Sequence, residues 1–220
     1  MIWVPVILSL QVSALATICA LPIAIYVAFI LARKKFWGHS VLNVLVHLPL
    51  VLPPVITGYL LLVIFGRQGV VGIMLYDFLG VTLAFRWTGA ALASGIMGFP
   101  LMVRAIRLGF EAVDTGLEDA ARTLGATNVG VFTRVTLPLI APAIIAGSVL
   151  GFAKALGEFG ATITFVAAIP GQTETIPSAI YAALQVPGQN ETIVWLVCVS
   201  IALAMGALIA SEWLARKMVT

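Results

Sequence analysis

Charge is what this 220-residue chain has least of: Asp, Glu, Lys and Arg together make up 10% of it, against roughly 25% in an ordinary soluble domain. So few charges cannot clothe a water-facing surface. A soluble globular domain, a disordered chain and a nucleic-acid binder are all excluded. Cysteine is also scarce. Cys19 and Cys198 lie inside apolar runs, which excludes a disulfide-built secreted scaffold and reads them as small core hydrophobes. There is no Gly-x-x-x-x-Gly-Lys-[Ser/Thr] loop to cradle a nucleotide, and no Cys/His cluster at metal-ligand spacing. The reading is of a non-enzymatic chain with no metal and no cofactor of its own.

What is present is apolar. Hydrophobic residues make up 61% of the chain and the mean hydropathy is +1.12, so most of its surface faces lipid. Stretches free of charge run over residues 2–32, 36–66, 87–103, 135–153 and 192–211, each near or above the ~20 residues that a crossing helix needs. The expectation is an all-α polytopic membrane protein, one domain over 1–220, with five spans near 4–32, 41–65, 87–108, 137–157 and 191–213. Residues 159–190 are apolar too, but Pro170-Gly171, Pro177 and Pro187-Gly188 cut them into pieces too short to cross. They are expected to form an external loop with a short helix or re-entrant turn. The other external loop is 66–86. The first apolar run has no basic segment before it and is long enough to remain as a span rather than a cleaved signal.

Orientation follows from Lys and Arg, which stay on the cytoplasmic side. Arg33, Lys34 and Lys35 follow the first span, Arg104, Arg107, Arg122 and Arg134 surround the loop between the third and fourth, and Arg216 and Lys217 follow the fifth. Only Arg67, Arg86 and Lys154 stand elsewhere. The N-terminus is therefore expected outside and the C-terminus inside. The net charge of +3 is the imprint of insertion, not of a polyanionic partner.

Several spans carry helix breakers. Pro49, Pro53 and Pro54 interrupt the second, Pro22 lies in the first, and Pro100 in the third. In lipid such breaks persist where neighbouring helices or a water-filled cavity satisfy the freed carbonyls, so the second span either lines a pathway or is kinked for packing. Neutral polar side chains within the spans, Asn43, His47, Thr57, Tyr59, Ser94, Ser148 and Thr162, are candidates for lining such a pathway or for helix–helix hydrogen bonds. Lys154 and Glu158 stand four apart near the outer end of the fourth span. They form either a structural pair or, with Gly157 and Gly160, part of an outer gate.

The polar loop 111–136 is patterned. Thr115 followed three residues on by Glu118 has capping-box spacing, which predicts a short helix with Leu117, Ala121 and Leu124 on one face, ended by Gly125. A second turn near 128–134 would lead to Leu137-Pro138 at the start of the fourth span. Such a helix either docks a protein or merely connects.

Resemblance decides between the two. Asp119-Ala120-Ala121, three residues, Gly125, nine residues, Val135, one residue and Leu137-Pro138 resemble the EAA loop of ATP-binding-cassette (ABC) importer permeases, with Asp for the usual Glu and Val for the usual Ile. The segments His47-Leu-Pro-Leu-Val-Leu-Pro-Pro-Val-Ile-Thr-Gly-Tyr59, Phe99-Pro-Leu-Met-Val-Arg-Ala-Ile-Arg107, Glu118-Asp-Ala-Ala-Arg-Thr-Leu-Gly-Ala126 and Ala155-Leu-Gly-Glu-Phe-Gly-Ala-Thr-Ile-Thr-Phe165 are similar to those of molybdate permeases. The last two are also similar to those of sulfate/thiosulfate permeases.

The resemblance implies the type I importer (MetI-like) fold in a bacterial or archaeal cytoplasmic membrane. It also implies a homodimer, two ATPase subunits that hold ATP and Mg, and an external binding protein delivering molybdate or tungstate. Its coupling residues would be Glu118, Asp119, Ala120, Ala121, Arg122, Gly125, Leu137 and Pro138. A dianion costs kilocalories per mole to dehydrate, so it must pass through a hydrated cavity, and the spans offer no basic cluster that would trap it. The competing readings are a sulfate, thiosulfate or tungstate permease, and an ion-gradient transporter or channel working alone.

Overall fold

Helices build most of the chain in a computed structural model that describes residues 3–219, the side chains of residues 211 and 214–219 excepted. Arg216 and Lys217, part of the expected basic side, lie outside the described side chains. Among the described residues four helical stretches are long and apolar enough to cross a bilayer. They are α1 (Trp3–Arg33), α5 (Trp87–Ala112), a rod over Asn128–Leu156, and α11 (Asn190–Val219), whose apolar part is Asn190–Ala210.

The second span departs from expectation. In place of one helix over 41–65 there are α2 (His39–Val51) and α3 (Pro54–Phe65), bent by 113° at their junction. Proline carries no N–H, so Pro53 and Pro54 withhold the donors that the carbonyls of Pro49 and Leu50 would meet in a continuous helix. Pro54 then sits in the first turn of α3, where its missing N–H costs nothing.

Lipid tails are as apolar as the side chains, so close van der Waals packing rather than water exclusion holds helices together in a bilayer. α5 has the residues for it. A Cβ on its Gly98 would stand 3.0 Å from the Gly151 carbonyl oxygen, so two glycines let α5 and the fourth span meet backbone to backbone. α1 runs alongside α5. Leu8, Val12 and Ala16 join Ala90, Ala93 and Met97 in one buried cluster, and Ala24, Ala28 and Leu31 join Met102, Val103, Ile106 and Phe110 in another. The second cluster lies toward Arg33, Arg104 and Arg107, the basic end.

The fourth span also differs from the expected 137–157. It begins as α7 (Asn128–Val131), capped by Thr127, whose Oγ1 accepts from the Gly130 N–H at 3.2 Å. It then widens into a π turn (Phe132–Thr136) and continues as α8 (Leu137–Leu156). Pro138 cannot donate to the carbonyl four residues back and its ring crowds it, so the ladder widens by one residue just before it, with the Leu137 N–H reaching Phe132 O.

The segment 159–190, expected as an external loop with a short helix or re-entrant turn, holds two short helices, and the first packs into the bundle. α9 (Gly160–Val166) is core: Ala161, Phe165 and Val166 are fully buried beside Leu61 and Ala90. α9 thus extends the fourth span after a break at Gly157, Glu158 and Phe159. α10 (Ile176–Leu184) then lies on the start of α1, where the Ile176 N–H donates to Ser9 Oγ at 2.8 Å. α4 (Val70–Leu79) occupies the loop 66–86. Large apolar side chains, among them Ile18, Ile23, Val55, Tyr59 and Val63, cover the outside, as expected of a surface that meets lipid or another copy.

Candidate functional site

At the basic end the chain leaves α5 and forms α6 (Thr115–Thr123). Its cap is Asp114, whose Oδ1 accepts from the Gly116 N–H at 2.8 Å; the capping box anticipated at Thr115 does not form, because the cap falls one residue earlier and Thr115 is already helical. α6 ends in a Schellman motif. The Ala126 N–H reaches Ala121 O, the Gly125 N–H reaches Arg122 O, and Gly125 takes φ +87°, a left-handed geometry that favours glycine.

Burial on α6 is inverted relative to an ordinary surface helix. Glu118 is 8% exposed, whereas Leu117 is 50% and Leu124 89% exposed. Glu118 Oε1 accepts from Arg33 Nη2 at 3.1 Å and from Thr136 Oγ1 at 2.7 Å, while Arg122 Nη2 lies 3.9 Å from Oε2. One carboxylate therefore ties α6 to the end of α1 and to the π turn. The open side of α6 carries Leu117, Ala120 and Leu124, with Asp119 and Arg122 paired at 2.6 Å beside them. Ala121 and Leu137 are half-buried and Pro138 is exposed.

The neutral pathway candidates differ in their surroundings. Asn43 Oδ1 accepts from Arg107 Nη1 at 3.2 Å, fastening α2 to α5, and His47 Nδ1 lies 2.8 Å from the Asn43 carbonyl on its own helix. Arg107 also pairs with Glu111 at 2.6 Å. Ser148 donates to Ile144 O at 2.7 Å and Thr162 to Phe159 O at 2.9 Å, bonds internal to their segments. Thr57 and Ser94 are buried with hydroxyls that have no hydrogen-bond partner, and Tyr59 is exposed.

Lys154 and Glu158 form the second charged cluster. Lys154 Nζ donates to Glu158 Oε2 at 2.6 Å, and the Ala161 N–H donates to Oε1 at 3.0 Å. Along the bundle the pair lies short of the end of α5 at Trp87, so helix continues past it on both sides. Gly151 meets Gly98 partway along α5, Lys154 is one turn beyond it, and α9 still continues toward Gly89, whose added Cβ would stand 2.9 Å from the Val166 side chain. Sequence reasoning missed Arg33 and Thr136 as partners of Glu118, and Asp114 as the cap. Asp114 has a local signal, a capping residue directly before the helix. Arg33, 85 residues from Glu118, has none.

The family model described as binding-protein-dependent transport system inner membrane component matches residues 20–220. The molybdenum transport system permease protein ModB of Escherichia coli (strain K12) is 58% identical over 214 residues, covering 97% of this chain and 93% of that protein. That of Haemophilus influenzae is 52% identical over 211 residues, covering 96% and 92%. Among solved structures, the bacterial alginate ABC transporter in complex with a pentasaccharide-bound periplasmic protein aligns with a TM-score of 0.73 at 20% identity, over 96% of this chain and 77% of that one. The inward-facing MetNI methionine ABC transporter aligns with a TM-score of 0.72 at 13% identity, over 99% and 94%. These two likenesses establish the fold.

Proposed function

The chain belongs to the binding-protein-dependent transport system inner membrane components, and on that premise we propose that it is the permease of an ATP-driven importer for molybdate or the similarly shaped tungstate. It is a multi-pass membrane subunit and does no chemistry. In the proposed assembly two copies enclose the pathway, two ATPase subunits with their ATP and Mg sit at the basic end, and an oxyanion-binding protein docks at the other. That orientation puts the N-terminus outside and the C-terminus in the cytoplasm, a reading that the distribution of Lys and Arg supports.

The observation that carries the coupling role is the inverted burial of α6. Its carboxylate is turned inward and tied down, while Leu117 and Leu124 are held out in water. An exposed apolar stripe on a short, rigidly capped helix is suited to sit in a partner's groove. Glu118, Gly125, Leu137 and Pro138 shape that helix and its exit, and Asp119, Ala120, Ala121 and Arg122 border the docking side. The cargo rests on the 58% identical relative named for molybdenum transport.

The test is reconstitution of the chain with its ATPase and binding protein in liposomes, followed by uptake of labelled molybdate. ATP-dependent uptake that saturates with molybdate is expected, together with cross-linking of Leu124→Cys to the ATPase. Oxyanion flux without ATPase, or preference for sulfate, would overturn the reading.

A further inference from the structure

Two helix breaks meet inside the membrane. Pro53-Pro54 separates α2 from α3, and Gly157, Glu158 and Phe159 separate α8 from α9. They are in contact, because a Cβ on Gly160 would stand 2.7 Å from Pro54, and one on Gly58 would stand 2.5 Å from the Ala161 carbonyl oxygen. Beside this junction stands the Lys154–Glu158 pair.

The two members of the pair are placed differently. The Glu158 side chain is 1% exposed and both its oxygens are engaged, one by Lys154 and one by the Ala161 N–H. The Lys154 side chain is 30% exposed, and of its three N–H donors one goes to Glu158. Its ammonium points inward to a buried carboxylate, so it does not snorkel to a membrane surface. A cation open to acyl chains within a span is costly. The open side of Lys154 must therefore face water or another copy. The adjoining break at Pro53-Pro54 lacks the N–H donors that would meet the Pro49 and Leu50 carbonyls in a continuous helix, and in a bilayer such a break stands against protein or a water-filled cavity rather than lipid.

We propose that Lys154 is an oxyanion-binding waypoint within the membrane. A tetrahedral dianion accepts hydrogen bonds from the ammonium donors that Glu158 leaves open. Glu158 fixes the ammonium and makes the site neutral overall, so that the anion is drawn out of the aqueous cavity but held weakly enough to leave. This rests on the reading of the chain as an oxyanion permease, and it adds the residue that touches the cargo.

The complete importer in liposomes separates the two ideas. Uptake by the wild type, measured first with molybdate and then with sulfate, tests the permease reading, and the ratio of variant to wild type for whichever anion is carried tests Lys154. In Lys154→Met/Glu158→Gln both charges are removed together, so no buried carboxylate is left unpaired. Uptake is expected to fall at least about tenfold, the scale of one hydrogen bond to a charged group, while ATP hydrolysis stimulated by the binding protein is retained. Lys154→Arg keeps the cation and should retain most of the uptake. In Lys154→Cys, an ethylammonium thiosulfonate reagent should restore uptake and an ethylsulfonate one should not, with the parent chain and its Cys19 and Cys198 treated in parallel. Full uptake by the doubly neutral variant, or equal rescue by both reagents, would overturn the proposal. Absence of uptake of either anion by the wild type would overturn the permease reading along with it.

Discussion

Glu118 and Glu158 are both carboxylates buried in a chain poor in acids, at 8% and 2% exposure, yet they take their partners from different distances along it. Glu118 bonds Arg33, 85 residues away, and Thr136, 18 residues away. Glu158 bonds Lys154 and the Ala161 N–H, four and three residues away. A tie between distant segments fixes how those segments sit relative to one another. A local tie shapes a single break and leaves the elements on either side free to shift. On the proposed reading, the long-range tie suits the end that would meet the ATPase, and the local one suits a junction whose geometry can adjust.

The largest expected effect lies at the long-range tie. Glu118→Ala leaves Arg33 near-buried with its main acceptor gone, and its Nε is already buried without a partner. Removal of one member of such a pair costs about 3 kcal/mol, near the low end for buried pairs because Arg33 is 17% exposed. The permease should unfold at lower temperature in detergent, and in the assembled importer ATP hydrolysis should no longer drive uptake in proportion. Asp119→Ala serves as the control. It breaks the 2.6 Å pair with Arg122 on the exposed side of α6 and should alter stability by less than about 1 kcal/mol. Equal effects of the two substitutions would erase the distinction between tie and surface pair.

A smaller effect is expected where α6 ends. Gly125 stands at φ +87° with open space around it, so Gly125→Ala meets no clash and tests backbone geometry alone. A left-handed conformation costs an L residue about 1–2 kcal/mol. That should loosen the turn from α6 into α7 without disturbing the bundle. Partial uncoupling with unchanged melting of the transmembrane core is the expected result. Unaltered coupling would mean that the tie at Glu118 positions α6 without help from its C-terminal turn.

Much of this was legible in the residue order, for reasons that differ by element. α1, α5 and α11 follow the charge-free runs because lipid tolerates few charges within a span. The turn at Gly125 follows from a glycine at the end of an amphipathic stretch. The turn near 128–134 is foreseen, but not that it runs unbroken into the fourth span, since the π turn that joins them lies in sequence that reads as polar loop. Prolines mark where the second span loses donors, but neither the 113° bend nor the packing of α3 on α9 has a local signal. α9 itself is concealed by its length of seven residues, too short for a span and buried because it continues one. The Glu118 tie has no local signature at all.

Glu174 extends the comparison to a carboxylate for which the described residues provide no ion pair. It lies in the connector before α10, in a recess of about 330 Å³ shared with Pro5, Ala183 and Leu196, and burial raises its pKa above the usual carboxylate value. The sign of the pH effect follows. The folded chain holds this proton more tightly than the unfolded one, so stability is highest below the unfolded value and falls as pH rises through the raised folded value. Glu174→Gln is neutral at every pH and removes that decline. Melting curves of the two proteins should therefore coincide in acid and separate toward neutral pH, with the variant the more stable. The effect should be the smallest of the three because the site is only partly buried. Curves that run parallel across the range would mean that water enters the recess and solvates the carboxylate there, so that a lone acid at this end needs neither the distant tie of Glu118 nor the adjacent lysine of Glu158.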